Sequence, residues 1–189
     1  TITLPWRTFT QGLNSTNGLF AAAGGANGRI LNVEKGFTDT LTTHGASVNS
    51  KTGPYLIRPY GTGATPLISC GAFSAITGTG AVNSDIRVVD IDFEKNSNLT
   101  TSGIFQQLNW NDALWLRSTM TAASSSSPFN GTGTAGGVRC TIAYCDLTST
   151  STGAYAVFWD GSQTAAGVDG RNIVATVCSA QGNDTGVRI

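Results

Sequence analysis

Four stretches of this chain can be laid over one another: DIRVVDIDF (85–93), DALWLRSTM (112–120), VRCTIAYCDL (138–147) and NIVATVCSA (172–180). The overlay sets Val88, Leu116, Ile142 and Val174 in one column, at separations of 28, 26 and 32 residues. A second column holds Ile91, Thr119, Cys145 and Val177, and a third holds Phe93, Thr121, Leu147 and Ser179. Three of the stretches are followed by another short apolar run, GIFQQL, AYAVFW or GVRI. A unit recurring at this length marks stacked supersecondary structure. With two or three short strands per unit and no helix between them, each unit reads as one coil of a parallel β-helix. Stacking the coils about 4.8 Å apart turns each column into an inward ladder of like side chains. The expected fold is all-β, a parallel solenoid of about six coils.

Earlier segments fit the same scheme. RILNVEKG (29–36), YLIRPYG (55–61) and PLISC (66–70) read as strands, and GPYLIRPYGTGATPLISCGAF (53–73) packs two of them around a glycine-rich turn. Helical patterning is confined to residues 5–23, where Trp6, Phe9, Leu13 and Phe20 fall on one face and Gly12 and Gly18 interrupt it. We therefore expect a short helical cap over 1–28 and a solenoid over 29–189. The serine run Ser124–Ser127, continuing to Gly137, reads as a protruding loop near 122–137.

Composition narrows the partners. Of 189 residues, 40% are apolar but only 12% are charged, with eleven basic residues balancing eleven acidic ones. The surface is then largely Ser, Thr, Asn, Gln and Gly, and it carries no field to attract nucleic acid or an anionic membrane. No apolar run reaches the ~20 residues needed to span a bilayer. Without an initiator Met, the chain reads as a mature or trimmed product. Neutral polyhydroxylated partners such as sugars fit this surface. Cys70, Cys140, Cys145 and Cys178 follow no CxxC spacing, and His44 is the only histidine, so we expect buried free thiols, no Cys145–Cys178 bridge and a surface histidine at a corner.

The order PWRT, ILNVEKG and then GPYLIRPYGTGATPLIS resembles the N-terminal part of right-handed parallel β-helix proteins of the pectate-lyase-like superfamily. DIRVVDIDFEKN and VRCTIAYCDLTST resemble that group's repeating strand-and-turn units, and the likeness runs over roughly residues 4–189. The superfamily holds secreted polysaccharide lyases, related hydrolases and phage tailspikes, so the resemblance implies the fold more than any one activity. It implies a PWRT-like lead into a capping helix and a Gly-Thr-Gly corner between strands. Its lyases combine calcium-binding acids with a basic catalytic residue, but no complete motif of theirs stands in this chain.

Two constellations are candidates for chemistry. Asp90, Asp92 and Glu94 alternate with Ile91 and Phe93, which places all three acids outward if they share one strand. They are candidates for Ca²⁺ ligation, and Asp90, Asp92 and Lys95 for acid–base catalysis. The second is Trp110, Asp112, Trp115, Trp159 and Asp160, with Phe158 alongside, where rings would stack on sugar faces and carboxylates accept from hydroxyls. Asp146, Asp169 and Asp184 fall in turns, and Asn14, Asn98, Asn130 and Asn183 head Asn-x-Ser/Thr triplets.

The expected function is a surface-exposed or virion-associated module, tailspike-like or adhesin-like, that recognises polysaccharide or serves as a stalk. Its place would be extracellular, on a cell surface or on a virion. The alternative is a lyase or hydrolase acting on an acidic polysaccharide. Because NDTGVRI stops early in a coil, a second polypeptide or an identical chain is expected to pair with the C-terminal edge.

Overall fold

The computed structural model describes residues 7–14, 16–21, 28–48, 50–78, 83–96, 103–106, 110–123, 127–131, 139–150, 155–159, 172–180 and 187–188. The chain is a parallel β-solenoid with three sheets, each climbed in chain order by one strand per rung. The first sheet runs through Arg29–Glu34, Thr52–Tyr60, Asn83–Val89, Leu114–Leu116, Thr141–Ala143 and Asn172–Val174, with Trp110–Asn111 also pairing to Asn83–Val89. The second runs through Thr38–Thr40, Leu67–Ser69, Asp92–Lys95, Thr119–Ala122, Asp146–Ser149 and Val177–Ala180. The third runs through Ala46–Val48, Ile76–Gly78, Phe105–Gln106, Phe129–Gly131, Val157–Trp159 and Val187–Arg188. Two rungs are thin, because their third-sheet strands, Phe105–Gln106 and Val187–Arg188, shrink to two residues. The solenoid thus has about four full turns where about six coils were expected.

Inward ladders hold the rungs together. In the first sheet Leu31, Ile57, Val88, Trp115, Ile142 and Ile173 stand level on successive strands. In the second, Ile68, Phe93, Met120, Leu147 and Cys178 do the same, and in the third Ala46, Ile76, Phe105, Phe129, Val157 and Val187. Phe105 and Phe129 stack at 5.4 Å with 16° between planes, and Trp115 meets both rings edge-on.

This register corrects the overlay in two of its four stretches. Val88 and Ile142 are inward and fully buried, but Trp115 and Ile173, not Leu116 and Val174, share their column. Likewise Met120 and Cys178 stand level with Phe93 and Leu147, while Thr121 and Ser179 face outward. The remaining column splits too: Val177 stands level with Asp146, as does Thr119, and Ile91 and Cys145 are buried beside them. Both residues of Trp115–Leu116 and of Ile173–Val174 are apolar, so the sequence alone accepts either face. A slip of one residue then exchanges inside for outside.

The cap is a five-residue helix, Phe9–Leu13, whose first turn is closed by Thr8 Oγ1 accepting from the Gln11 N–H at 3.2 Å. Phe9, Leu13, Leu19 and Phe20 enter the core, with Phe20 against Tyr55 and Phe9 against Phe93. Gly12 permits this seating, since a Cβ there would stand 2.9 Å from Leu31 Cδ1. Residues 1–6, Trp6 among them, lie outside the described residues. Within the stretch 122–137 read as a protruding loop, Phe129–Gly131 is a third-sheet strand, while 124–126 and 132–138 lie outside the described residues.

The Gly-Thr-Gly corner is present, with Gly61 at φ 80° and Gly63 at φ 131°. Later rungs make the first-to-second-sheet corner with Asp90, Arg117, Tyr144 and Ala175, all between φ 45° and 53°. None of the four cysteines is in a disulfide, and Cys70, Cys140 and Cys145 are buried. His44 is exposed at a corner, where its Nδ1 accepts the Ser74 N–H at 3.1 Å. Partial burial and the nearby Lys95 lower its pKa.

Candidate functional site

The acidic triplet does not share one strand. The left-handed conformation of Asp90 turns the chain between the first and second sheets, leaving Asp90 on the corner and Asp92 and Glu94 on the second sheet. Asp90 is engaged by Arg117 of the next rung, which donates from Nε at 2.6 Å and from Nη2 at 2.7 Å. Asp92 accepts the Thr119 N–H at 2.7 Å. Lys95, read from sequence as standing beside these acids, is fully buried in the lumen, where its ammonium donates to the Phe73 carbonyl at 2.7 Å.

The same alternation that sends Asp92 and Glu94 outward sends Lys95 inward with Phe93. Burial depresses the Lys95 pKa, a shift that neighbouring Cys70 opposes. Burial also pushes the Cys70 thiol up to about 12. Asp90, Asp92 and Lys95 therefore do not converge on one outer surface. Among the described residues no group of three His, Cys, Asp or Glu is placed to hold a metal.

The aromatic constellation divides as well. Trp115 is 1% exposed and sits in the lumen, so its ring meets Phe105 and Phe129 and no external ligand. The backbone of Trp110 pairs with Asn83 at the leading edge of the first sheet, and Trp159 ends the strand Val157–Trp159 of the third. Phe158 faces outward, half-buried, with its ring stacked on Tyr155. Asp160, Asp169, Asp184, Asn98 and Asn183 lie outside the described residues.

Asp112 is exposed at the start of its first-sheet strand, with φ 58°. Arg139, one rung on, donates to it from Nε at 2.5 Å and from Nη2 at 2.8 Å. These hydrogen bonds, with the guanidinium charge, hold the Asp112 carboxyl below the usual carboxylate range. The outer face of the first sheet thus has a bidentate pair at each end, Asp112–Arg139 and Asp90–Arg117, on the order of 15 Å apart along the strand. Between them lie Leu114 and Leu116, half-buried and facing out. Arg87 and Val89 flank them on one rung, and Thr141 and Ala143 on the other.

In both pairs the partners are 27 residues apart, one repeat length. That interval was available in the sequence and would have found both of them. The left-handed backbone of Arg117 and Arg139 was not available there, since Arg ordinarily avoids it.

Compared with family models, with curated proteins and with solved structures, the chain has no match.

Proposed function

We propose that this chain is a surface-exposed recognition module of the parallel β-helix kind, tailspike-like or adhesin-like, which binds polysaccharide along the outer face of its first sheet. An extracellular, cell-surface or virion location fits this reading. The observation that carries it is the aliphatic floor of Val89, Leu114 and Leu116 set between two exposed Asp–Arg pairs. Sugar rings present C–H faces that pack on flat apolar surface and hydroxyls that suit fixed carboxylates and guanidiniums. Each guanidinium spends Nε and Nη2 on its carboxylate, so its Nη1 edge is left for a ligand. The carboxylates in turn fix where that edge points.

The test is a glycan panel followed by calorimetry with Leu114→Ser and Arg139→Ala. Each variant is expected to weaken the best glycan about tenfold, the size of one lost charge-assisted hydrogen bond or buried contact. Binding that is unchanged in both variants, or a panel with no binder, would overturn the proposal.

A further inference from the structure

One peptide group is held from both sides at the corner between the second and third sheets. The bond between Phe73 and Ser74 offers its carbonyl to the Lys95 ammonium at 2.7 Å and its N–H to His44 Nδ1 at 3.1 Å. Three rungs meet there, since His44 follows Thr38–Thr40, Phe73 and Ser74 follow Leu67–Ser69, and Lys95 ends Asp92–Lys95. The buried Ser74 hydroxyl extends the chain of bonds, donating to the Gly103 carbonyl of the third of these rungs at 2.7 Å. The Phe73 ring meets the imidazole edge-on, with centroids 5.6 Å apart.

A backbone N–H only donates, so Nδ1 must accept, and the proton of the neutral ring sits on Nε2. A proton added at Nδ1 would set two donors against each other. It would also bring a second positive charge to a peptide group that already holds Lys95. That ammonium polarises the peptide toward donation, so it strengthens the joint and opposes its protonation together. Among the described residues no acid is paired with the ring to offset this. The Cys70 thiol stays neutral, Glu94 points outward from the strand that sends Lys95 inward, and Asp39 accepts the Phe9 N–H. The cap helix, whose Leu13 approaches Gly45 at this corner, carries no acid in its first turn and no base in its last.

We infer that this corner is an acid-operated latch: one proton on His44 parts it from Ser74 and frees the exposed residues 42–44 from the second rung. The ring is exposed, so the proton comes directly from solvent. Partial burial and Lys95 hold the folded-state pKa of His44 below the ordinary value of about 6.5. The open form therefore takes up the proton first. What the latch contributes is whole above about pH 6.5 and is lost as pH falls through the lower, folded value. The inference uses no residue of the first-sheet floor, so it stands or falls separately from the function proposed above.

The experiment follows the His44 ring of the intact chain by NMR across pH, together with the protection of the Ser74 amide against hydrogen exchange. That protection is expected to drop at least about tenfold between about pH 7.5 and about pH 4.5, in step with the His44 titration. His44→Asn, an exposed change whose Oδ1 keeps an acceptor near the place of Nδ1 but takes no proton, should stay protected at both. Lys95→Met, which fills the lumen without charge, should move the His44 midpoint up toward about 6.5. Equal loss of Ser74 protection in the parent chain and in His44→Asn, protection that persists through the titration, or a parent midpoint at or above about 6.5 would each overturn the inference.

Discussion

The lumen of the early and middle rungs and the lumen of the last rung follow one backbone pattern, yet only the first is sealed. Phe9, Phe93, Phe105, Trp115 and Phe129 form a run of ring contacts and Phe20 pairs with Tyr55, with centroids 4.9–6.0 Å apart and every member buried. On the last rung the inward Ile173, Cys178 and Val187 are only partly covered, and Val174 and Val177 are 44% and 60% exposed. The difference teaches that an inward position in a solenoid is not buried by pointing inward. It is buried by having a rung on each side. The helix seated on the first rung gives that end the cover the last described rung lacks.

The sharpest test compares two residues of one column. Ile142→Asp should cost on the order of 4 kcal/mol, because the carboxylate lands between apolar neighbours above and below. Ile173→Asp should cost on the order of 1–2 kcal/mol, with water able to reach it. Chemical denaturation of both variants decides, and equal losses would break the comparison. Trp115→Ala should cost about 3–5 kcal/mol by opening the centre of the aromatic run, whereas Phe158→Ala, outward on the third sheet, should cost less than about 1 kcal/mol.

Corners give a smaller effect with opposite signs at the two ends. Ala175, at φ 45°, pays for a left-handed backbone that glycine adopts freely, so Ala175→Gly should stabilise by about 0.5–1 kcal/mol. Gly61→Ala, at φ 80°, should destabilise by about 1 kcal/mol. The two melting temperatures should therefore move in opposite directions.

The smallest effect is on pH. The folded-state pKa of Asp112 lies below its unfolded value, so what the Arg139 pair adds is present above the ordinary aspartate pKa of about 3.9. It is lost as pH falls through the lower, folded value. Arg139→Ala should bring the Asp112 titration, followed by NMR, back toward the ordinary range. An unmoved titration would show that the pair does not form in solution.

The solenoid was legible because its strongest signal, like residues recurring at one interval, is the thing a stacked backbone repeats. Val88, Ile142, Phe93 and Leu147 were all placed inward from that signal, and they are inward. Trp115 was not, and the reason is local: beside Leu116 its polarity gives no clue to facing, and only the ladder register decides. Lys95 was misread for a related cause. A charged residue at the end of an alternating strand suggests solvent, while the alternation itself pointed into the lumen. The short strands Thr38–Thr40, Ala46–Val48 and Ile76–Gly78 escaped notice because three residues are too few to display a period. Of the candidate site, Asp112 was found but its partner was not, since a pair bridging neighbouring rungs is invisible until the repeat is folded up.

Those cross-rung pairs also bear on how the chain finds its order. A stack of similar rungs is open to mispairing, because each strand edge offers much the same row of donors and acceptors to any neighbour. Asp112 and Arg117 sit on a single rung, and they reach in opposite directions, one to the rung after and one to the rung before. Exchanging that rung with a later one would set Asp90 against Tyr144 or Ala175 and strand its charge. The two ion pairs thus act as an address, weak as bonds yet able to tell otherwise interchangeable layers apart.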